Sequence, residues 1–317
     1  MGGTLLGIDI GHDAIKLAGL RTGSKACLVG CKSIDVNSEL LGRDKLEDTA
    51  PITNALKQAL ATAAPHRLVA GPAVLALSES VLSRKVLELP LVRSDEELRA
   101  VVAVQAAEYL PLPIDEMELD YQVLGVEKDG MIQQVMVVAV SSKLIAFYLK
   151  AIAAAGIQLM AIDTKPSAIG RLLVPAKATD AFIILDIGSE LSTVSVYHHG
   201  AIQVASTVNL GGNIIKDKTT GKPDPEREAG LIERLVSEVS EEVDHVIKFY
   251  TNRSLDEEPV KQILLTGGGS HVVGITEQLT SQLQLPFILG KPTLTLPPFC
   301  DRRFNGALGA ALYPLHG

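Results

Sequence analysis

The sequence predicts an α/β protein of two lobes, made by repeating one strand–turn–strand unit. Leu6-Gly7-Ile8-Asp9-Ile10-Gly11 and Ile184-Leu185-Asp186-Ile187-Gly188 each carry an apolar run, an Asp and a Gly two places on, with the aspartates 186 − 9 = 177 residues apart. Each copy leads into a second apolar strand, Ile15-Lys16-Leu17-Ala18 or Thr193-Val194-Ser195-Val196-Tyr197. Both therefore read as strand, tight turn, strand. The length, 317 residues, exceeds what one hydrophobic core usually organises. Glycine in such a turn leaves peptide N–H groups bare for an anion, and Asp at a strand end can hold a metal ion through water. Two such turns facing each other would form a pincer for a nucleotide's phosphates.

The first three strands are expected over 5–10, 14–20 and 26–36. A helix over 51–63 places Ile52, Leu56 and Leu60 on one face. Two short strands follow, over 74–77 and 82–89. Ser94-Asp95-Glu96-Glu97 forms a capping box. The helix it opens carries Leu98, Val101, Val102 and Gln105 on one side and ends at Leu110-Pro111-Leu112-Pro113. Strands over 117–126 and 134–141 flank the turn Lys128-Asp129-Gly130, and a helix over 144–155 closes on Gly156, a C-cap. The stretch of about 74–162 thus reads as a small α+β block inserted in a first lobe of residues 1–179. The second lobe, 180–317, repeats the opening and adds a strand over 201–210, then Gly211-Gly212 and a polar loop over 216–225. Ile232, Leu235, Val236, Val239, Val243, Val246, Ile247 and Tyr250 mark one face of a long helix, with Glu233, Glu238, Glu241, Glu242 and Asp244 as its solvated face. A strand over 262–265 ends in Thr266-Gly267-Gly268-Gly269-Ser270. A helix with Val273, Ile275, Leu279 and Leu283 follows, which would set the glycines against a helix N-terminus. The chain closes with the small-residue helix Gly306-Ala307-Leu308-Gly309-Ala310-Ala311-Leu312.

Composition bounds the function. Hydrophobic residues make up 47%, charged residues 21%, and Trp is absent, as in a globular protein with ample core material. A formal net charge of −8 without a basic cluster excludes bulk nucleic-acid binding. Cys27, Cys31 and Cys300 are odd in number, which indicates neither a disulfide framework nor a zinc site and leaves strand-packed thiols. The seven histidines show no metal-ligand spacing, and His198-His199 before Gly200 reads as a hairpin turn. Asp9 interrupts the first apolar stretch, against a signal peptide, and no uncharged apolar run reaches the ~20 residues that span a bilayer. A cytoplasmic protein is expected, held at any membrane through partners rather than by direct insertion.

The order of two Asp-x-Gly turns, a glycine cluster and a terminal small-residue helix resembles the actin-like, Hsp70-like and sugar-kinase superfamily. That implies duplicated ribonuclease-H-like domains. The inserted block narrows the resemblance. Val74-Leu75-Ala76-Leu77-Ser78-Glu79-Ser80, Arg84-Lys85-Val86-Leu87-Glu88-Leu89-Pro90, Glu108-Tyr109-Leu110-Pro111-Leu112-Pro113-Ile114-Asp115-Glu116 and Leu119-Asp120-Tyr121-Gln122-Val123-Leu124-Gly125 resemble the PilM family of actin-like proteins of type IV pilus assembly, related to FtsA. Val137-Val138-Ala139-Val140, Ala155-Gly156-Ile157 and Ile162-Asp163 continue the match. The resemblance implies a scaffold peripherally attached to the inner membrane. It would bind the cytoplasmic N-terminal tail of PilN in a cleft between insert and first lobe, with PilO and the pilus motor ATPases nearby. It also implies an ATP and Mg²⁺ site from Asp9, Gly11, Lys16, Asp186, Gly188, Ser192, Thr193, Gly267, Gly268 and Gly269. Asp115, Glu116, Glu118, Asp120 and Tyr121 mark the region expected to draw a basic, extended peptide.

Four departures weaken the nucleotide expectation. The family's usual turn has Ser or Thr after the Gly, where this chain has His12 and Asp13; a carboxylate there repels a polyphosphate. The connecting helix of the ATPase relatives often begins Glu-Pro, placed to orient water. Asp163-Thr164-Lys165-Pro166 puts Lys165 there, and a protonated lysine is a poor base near neutral pH. The long helix of the relatives often carries Arg and Ser beside adenine, and this chain has His245 and Val246. Finally, only a short polar loop follows Gly212 where the family has a longer roofing segment, so the second lobe's subdomain is shortened and less apolar area would cover the base. The expectation is therefore a degenerate site with weak ATP binding, no appreciable hydrolysis and no catalytic residue. The alternatives are an active ATP-binding actin-like ATPase, or an FtsA-like filament, a homo-oligomer. FtsA-like proteins usually add a C-terminal amphipathic membrane helix, and this sequence stops at Tyr313-Pro314-Leu315-His316-Gly317, with no such anchor expected.

Overall fold

The duplicated motif folds into two hairpins at matching places in two sheets. β1 (Thr4–Ile10) and β2 (Ala14–Arg21) form the first. β10 (Ala181–Ile187) and β11 (Ser192–His198) form the second, and β10 begins and ends 177 residues after β1 (181 − 4 and 187 − 10). The computed structural model describes residues 3–21, 23, 26–36, 46, 48–92, 94–127, 130–215, 228–253, 255, 258–283, 285–292 and 294–313. The polar loop over 216–225 and part of the turn at Lys128-Asp129-Gly130 lie outside these residues, as does the shortened roof.

In the first lobe come β3 (Cys27–Asp35), α1 (Ala50–Thr62), β4 (Ala64–Pro65), β5 (Pro72–Leu77), α3 (Ser142–Ala154), β9 (Gln158–Thr164) and α4 (Lys165–Leu173). The sheet order is β4-β3-β2-β1-β5-β9, antiparallel through β3, β2 and β1 and parallel through β1, β5 and β9. The second lobe has β12 (Ala201–Val208), α5 (Glu228–Arg253), β13 (Val260–Thr266), α6 (Ile275–Gln282), β14 (Phe287–Leu289) and α7 (Asn305–Ala310). Its sheet order, β12-β11-β10-β13-β14, repeats the same pattern. Ile52, Leu56 and Leu60 of α1 pack with Leu144, Phe147 and Ile152 of α3 over the first sheet. The stripe from Ile232 to Tyr250 of α5 packs over the second. A third apolar cluster joins the lobes: Leu20, Ile169, Leu172, Phe182, Ile184, Leu264 and Leu308 pack together, with α4 and α7 in contact between the sheets.

The insert is narrower than the expected 74–162. β5 and β9 pair with the first lobe's sheet. The separate three-stranded sheet is β6 (Ser83–Pro90), β8 (Ile132–Ser141) and β7 (Met117–Val126), in the order β6-β8-β7. Alternation reveals a strand but not the sheet that it joins. α2 (Asp95–Ala106) begins at Ser94, whose hydroxyl accepts from the Glu97 N–H at 3.5 Å. Leu98, Val102 and Ala106 bury against Leu87, Leu89, Val135 and Val137. At the entry to the insert, Arg84 donates to Glu79 Oε1 at 2.6 Å and Oε2 at 2.9 Å, with both side chains buried. α3 ends as expected, with Gly156 at φ 79°. The helix after the glycine cluster does not begin at the cluster. Gly268–His271 is a 3₁₀ turn, and α6 starts six residues after Gly269 behind Gly274 at φ 82°. Val273, expected on its apolar face, is 84% exposed. Cys31 is buried, as is Cys300, whereas Cys27 on the same strand is exposed.

Candidate functional site

The cleft lies at the carboxyl ends of the parallel strands, where α/β sheets present their sites. Asp9 is the next-to-last residue of β1, and Asp186 that of β10. In both turns the glycine N–H bonds back across the loop, Gly11 to the Ala14 carbonyl at 3.0 Å and Gly188 to the Leu191 carbonyl at 2.9 Å. Asp9 stands opposite Lys16 in its hairpin, and Asp186 opposite Thr193. The Lys16 ammonium lies beside Gly11.

Lys165 occupies the space between the aspartates. It is the first residue of α4, which Thr164 caps by accepting the Ser167 N–H at 3.3 Å, with Pro166 fixing the first turn. β9 runs parallel in the first sheet, so this helix start emerges at the same edge as Asp9. Lys165 Nζ lies 2.8 Å from Asp186 Oδ2 and 3.6 Å from Asp9 Oδ2. The Asp9 and Asp186 side chains are 1% and 8% exposed, and that of Lys165 18%. Burial pushes the Lys165 ammonium towards neutrality; the carboxylates of Asp186 and Asp9 outweigh it and hold the group above the ordinary lysine range. Neither oxygen of Asp9 accepts a hydrogen bond among the described residues.

Glycines make room for this arrangement. Gly267, at φ 87°, passes so close to Asp186 Oδ1 that a Cβ would collide with it. A Cβ at Gly306, on α7, would stand 2.9 Å from Asp9 Oδ2 and 3.1 Å from Lys165 Cε. Next to it, buried Asn305 donates to Thr266 Oγ1 at 2.8 Å. Sequence reasoning missed Asn305, Gly306 and Thr266 as cleft residues. The small-residue start of the last helix is the signal that could have found Asn305 and Gly306, and Thr266 stands at the head of the glycine cluster.

The other expected residues divide. Gly188 and Gly269 come together, with Gly212 donating to the Gly188 carbonyl at 2.8 Å. Gly268 instead faces Arg303. Ser192 is fully buried and donates to the Leu210 carbonyl at 2.7 Å, so its hydroxyl is engaged. Thr193 is half-buried. Asp13 sits on the first turn, partly exposed, beside His12. His245, at the position where relatives often carry a residue beside adenine, lines a cleft of about 290 Å³ between the insert and the second lobe, with Arg84, Met136 and Phe249. Val246 is buried in the second lobe's core.

On the insert, Asp115, Glu116, Glu118 and Asp120 are all exposed, on the turn Ile114–Glu116 and on β7, an edge strand. Alternation puts Glu118 and Asp120 on the sheet face opposite α2. There they pair in register with Val140 and Val138. Ser142 donates to Glu118 at 3.0 Å. Tyr121 belongs to the other face: it packs in the insert's own core, and its hydroxyl donates to the Asp95 carbonyl at 3.4 Å.

A family model described as type IV pilus assembly protein PilM matches residues 7–228. The chain belongs to the PilM family of type IV pilus assembly proteins. A solved PilM–PilN type IV pilus biogenesis complex matches this PilM-family chain at TM-score 0.81 and 23% identity, over 97% of each chain. Ethanolamine utilization protein EutJ from Carboxydothermus hydrogenoformans matches at TM-score 0.56 and 14% identity, over 98% of this chain and 90% of that one. The cytoplasmic domain of EpsL, an inner-membrane component of the Vibrio cholerae type II secretion system, matches at TM-score 0.52 and 10% identity, over 98% and 95%. The PilM-family chain thus has the two-lobed actin-like ATPase fold. Among its described residues no helix is long and apolar enough to cross a membrane.

Proposed function

We propose that this chain is a scaffold of the type IV pilus assembly platform. It captures the cytoplasmic N-terminal tail of a PilN-type partner, sits in the cytoplasm, and reaches the inner membrane through that partner. PilO and the pilus motors would be its further neighbours. In this reading the actin-like cleft does not turn over ATP. The observation that carries it is Lys165 between Asp9 and Asp186. A metal–triphosphate needs those carboxylates free for the cation and its water. Here an ammonium fills the gap, the Ser192 hydroxyl is spent on the backbone, and Asp13 adds a repelling charge. The residues present therefore do not fit Mg²⁺-ATP.

Family membership and the solved PilM–PilN complex support the partner. The exposed acids of the insert supply the complementary chemistry for a basic, extended tail. Calorimetry on the purified chain tests both halves. A PilN N-terminal peptide should bind, and Mg-ATP should bind weakly and release no phosphate. Failure to capture the peptide overturns the scaffold reading. ATP binding below ~10 μM, with phosphate release that Asp186→Ala abolishes, overturns the reading of the cleft.

A further inference from the structure

We propose that Lys165 is a resident cation that holds the two lobes together at their duplicated aspartates, and that removing its charge turns the aspartate pair into a divalent-metal site. The proposal rests on the reading of the cleft given above. Asp9 and Asp186 come from opposite lobes, and one ammonium lies within 4 Å of a carboxylate oxygen of each. Lys165 belongs to the helix that runs between the sheets, so its charge stands at the seam. Two buried carboxylates facing one gap repel each other, and a positive charge between them offsets that repulsion. The carboxylate of Asp9 is buried and accepts no hydrogen bond among the described residues, and the Lys165 ammonium stands 3.6 Å from it.

Replacing the ammonium with the shorter, neutral carboxamide of Gln opens the gap between two hard oxygen donors. Mg²⁺ and Mn²⁺ take such donors and complete their shells with water. With Lys165 in place the lobes need neither metal nor nucleotide to stay closed at this point. The ion pair then does permanently what a bound cation would do reversibly.

The test uses the full chain without nucleotide and Mn²⁺ alone as probe, read by electron paramagnetic resonance and by thermal melting. Wild type and Lys165→Arg should take up no Mn²⁺ in the cleft at millimolar metal. Lys165→Gln should bind one ion at least about tenfold more tightly than wild type, with a melting temperature that Mn²⁺ raises. Lys165→Gln combined with Asp186→Asn should lose that ion. Equal Mn²⁺ binding by wild type and Lys165→Gln overturns the proposal, as does a folded Lys165→Gln that binds none. Lys165→Gln that stays unfolded when refolded with Mn²⁺ overturns it too, because the metal is expected to replace the lost charge. ATP turnover by wild type would instead remove the scaffold reading, and the nucleotide-free titration distinguishes that failure from this one.

Discussion

The cleft and the inserted block both present carboxylates, and they treat them in opposite ways. Asp9 and Asp186 are buried and neutralised from within by Lys165. Asp115, Glu116, Glu118 and Asp120 are exposed. Among the described residues, the Ser142 hydroxyl donates to Glu118. A charge satisfied inside the protein stabilises the fold and is closed to ligands. A charge left at an edge strand contributes little to stability and stays available to a partner. In the proposed reading, the difference assigns the cleft to a structural joint between the lobes and recognition to the inserted surface.

The largest effect should come from breaking the joint. Lys165→Ala leaves two buried carboxylates unopposed and should cost about 3–5 kcal/mol, read as a fall in urea midpoint. Peptide capture by the folded fraction should be unchanged; a loss of capture at full folding would erase the separation of cleft from insert. The pH dependence follows in sign. Lys165 is held above its unfolded value of about 10.4. Its contribution is therefore fully present below that pH and is lost only as pH rises through the higher folded value. The stability gap between wild type and Lys165→Ala should stay level from neutral to about pH 10 as far as this group is concerned. A gap that closes already between pH 7 and 9 would mean that the ammonium is not held by the aspartates.

The same contrast shows what the sequence could reveal. The duplicated turns were legible because each lies within a few residues: an Asp near a strand end and a Gly in the turn that follows need no tertiary information. Lys165 was legible only as a departure from a familiar pattern. That it touches both aspartates depends on β9 joining the first sheet, and Gln158–Thr164 looks the same whichever sheet receives it. The insert's limits were misplaced for that reason. The glycine cluster misled in another way: apolar spacing at 275, 279 and 283 was right, but Gly274 at φ 82° separates the helix from the cluster. Tyr121 was grouped with its acidic neighbours by proximity in sequence, whereas strand alternation sends it to the opposite face.

A second prediction sharpens the comparison from the other side. Leu98 is 4% exposed at the centre of the insert core. Leu98→Ala should cost about 2–5 kcal/mol. Hydrogen exchange should rise chiefly across 83–141, with the strands of Asp9 and Asp186 still protected. Uniform loss of protection in both lobes would show that the insert is not a separate unit of stability.

A smaller effect is expected when Asp115, Glu116, Glu118 and Asp120 are changed together to Lys. The melting temperature should hold, since these groups are exposed. Affinity for a basic tail should fall about tenfold or more, and wild-type binding should weaken with added salt over the range set by a Debye length of roughly 10 Å at 0.1 M. Unchanged affinity at low salt would take these acids out of the recognition surface.

The smallest effect concerns the helix that backs that surface. Ser94 accepts the Glu97 N–H at 3.5 Å, a long bond for a cap, and Asp95, Glu96 and Glu97 add favourable charge to the first turn. Ser94→Ala should therefore cost about 0.5 kcal/mol, the low end for a lost N-cap. The cost should appear as faster exchange in the first turn of α2. Tyr121 donates to the Asp95 carbonyl in that same turn, so loosening it tests whether the insert's core sets the position of β7. If Ser94→Ala frays the turn and leaves peptide affinity intact, the edge strand is positioned by its pairing with β8 alone. If affinity falls in step with the fraying, the insert's core and its acidic edge act as one unit, and the division between buried and exposed carboxylates extends to the packing beneath them.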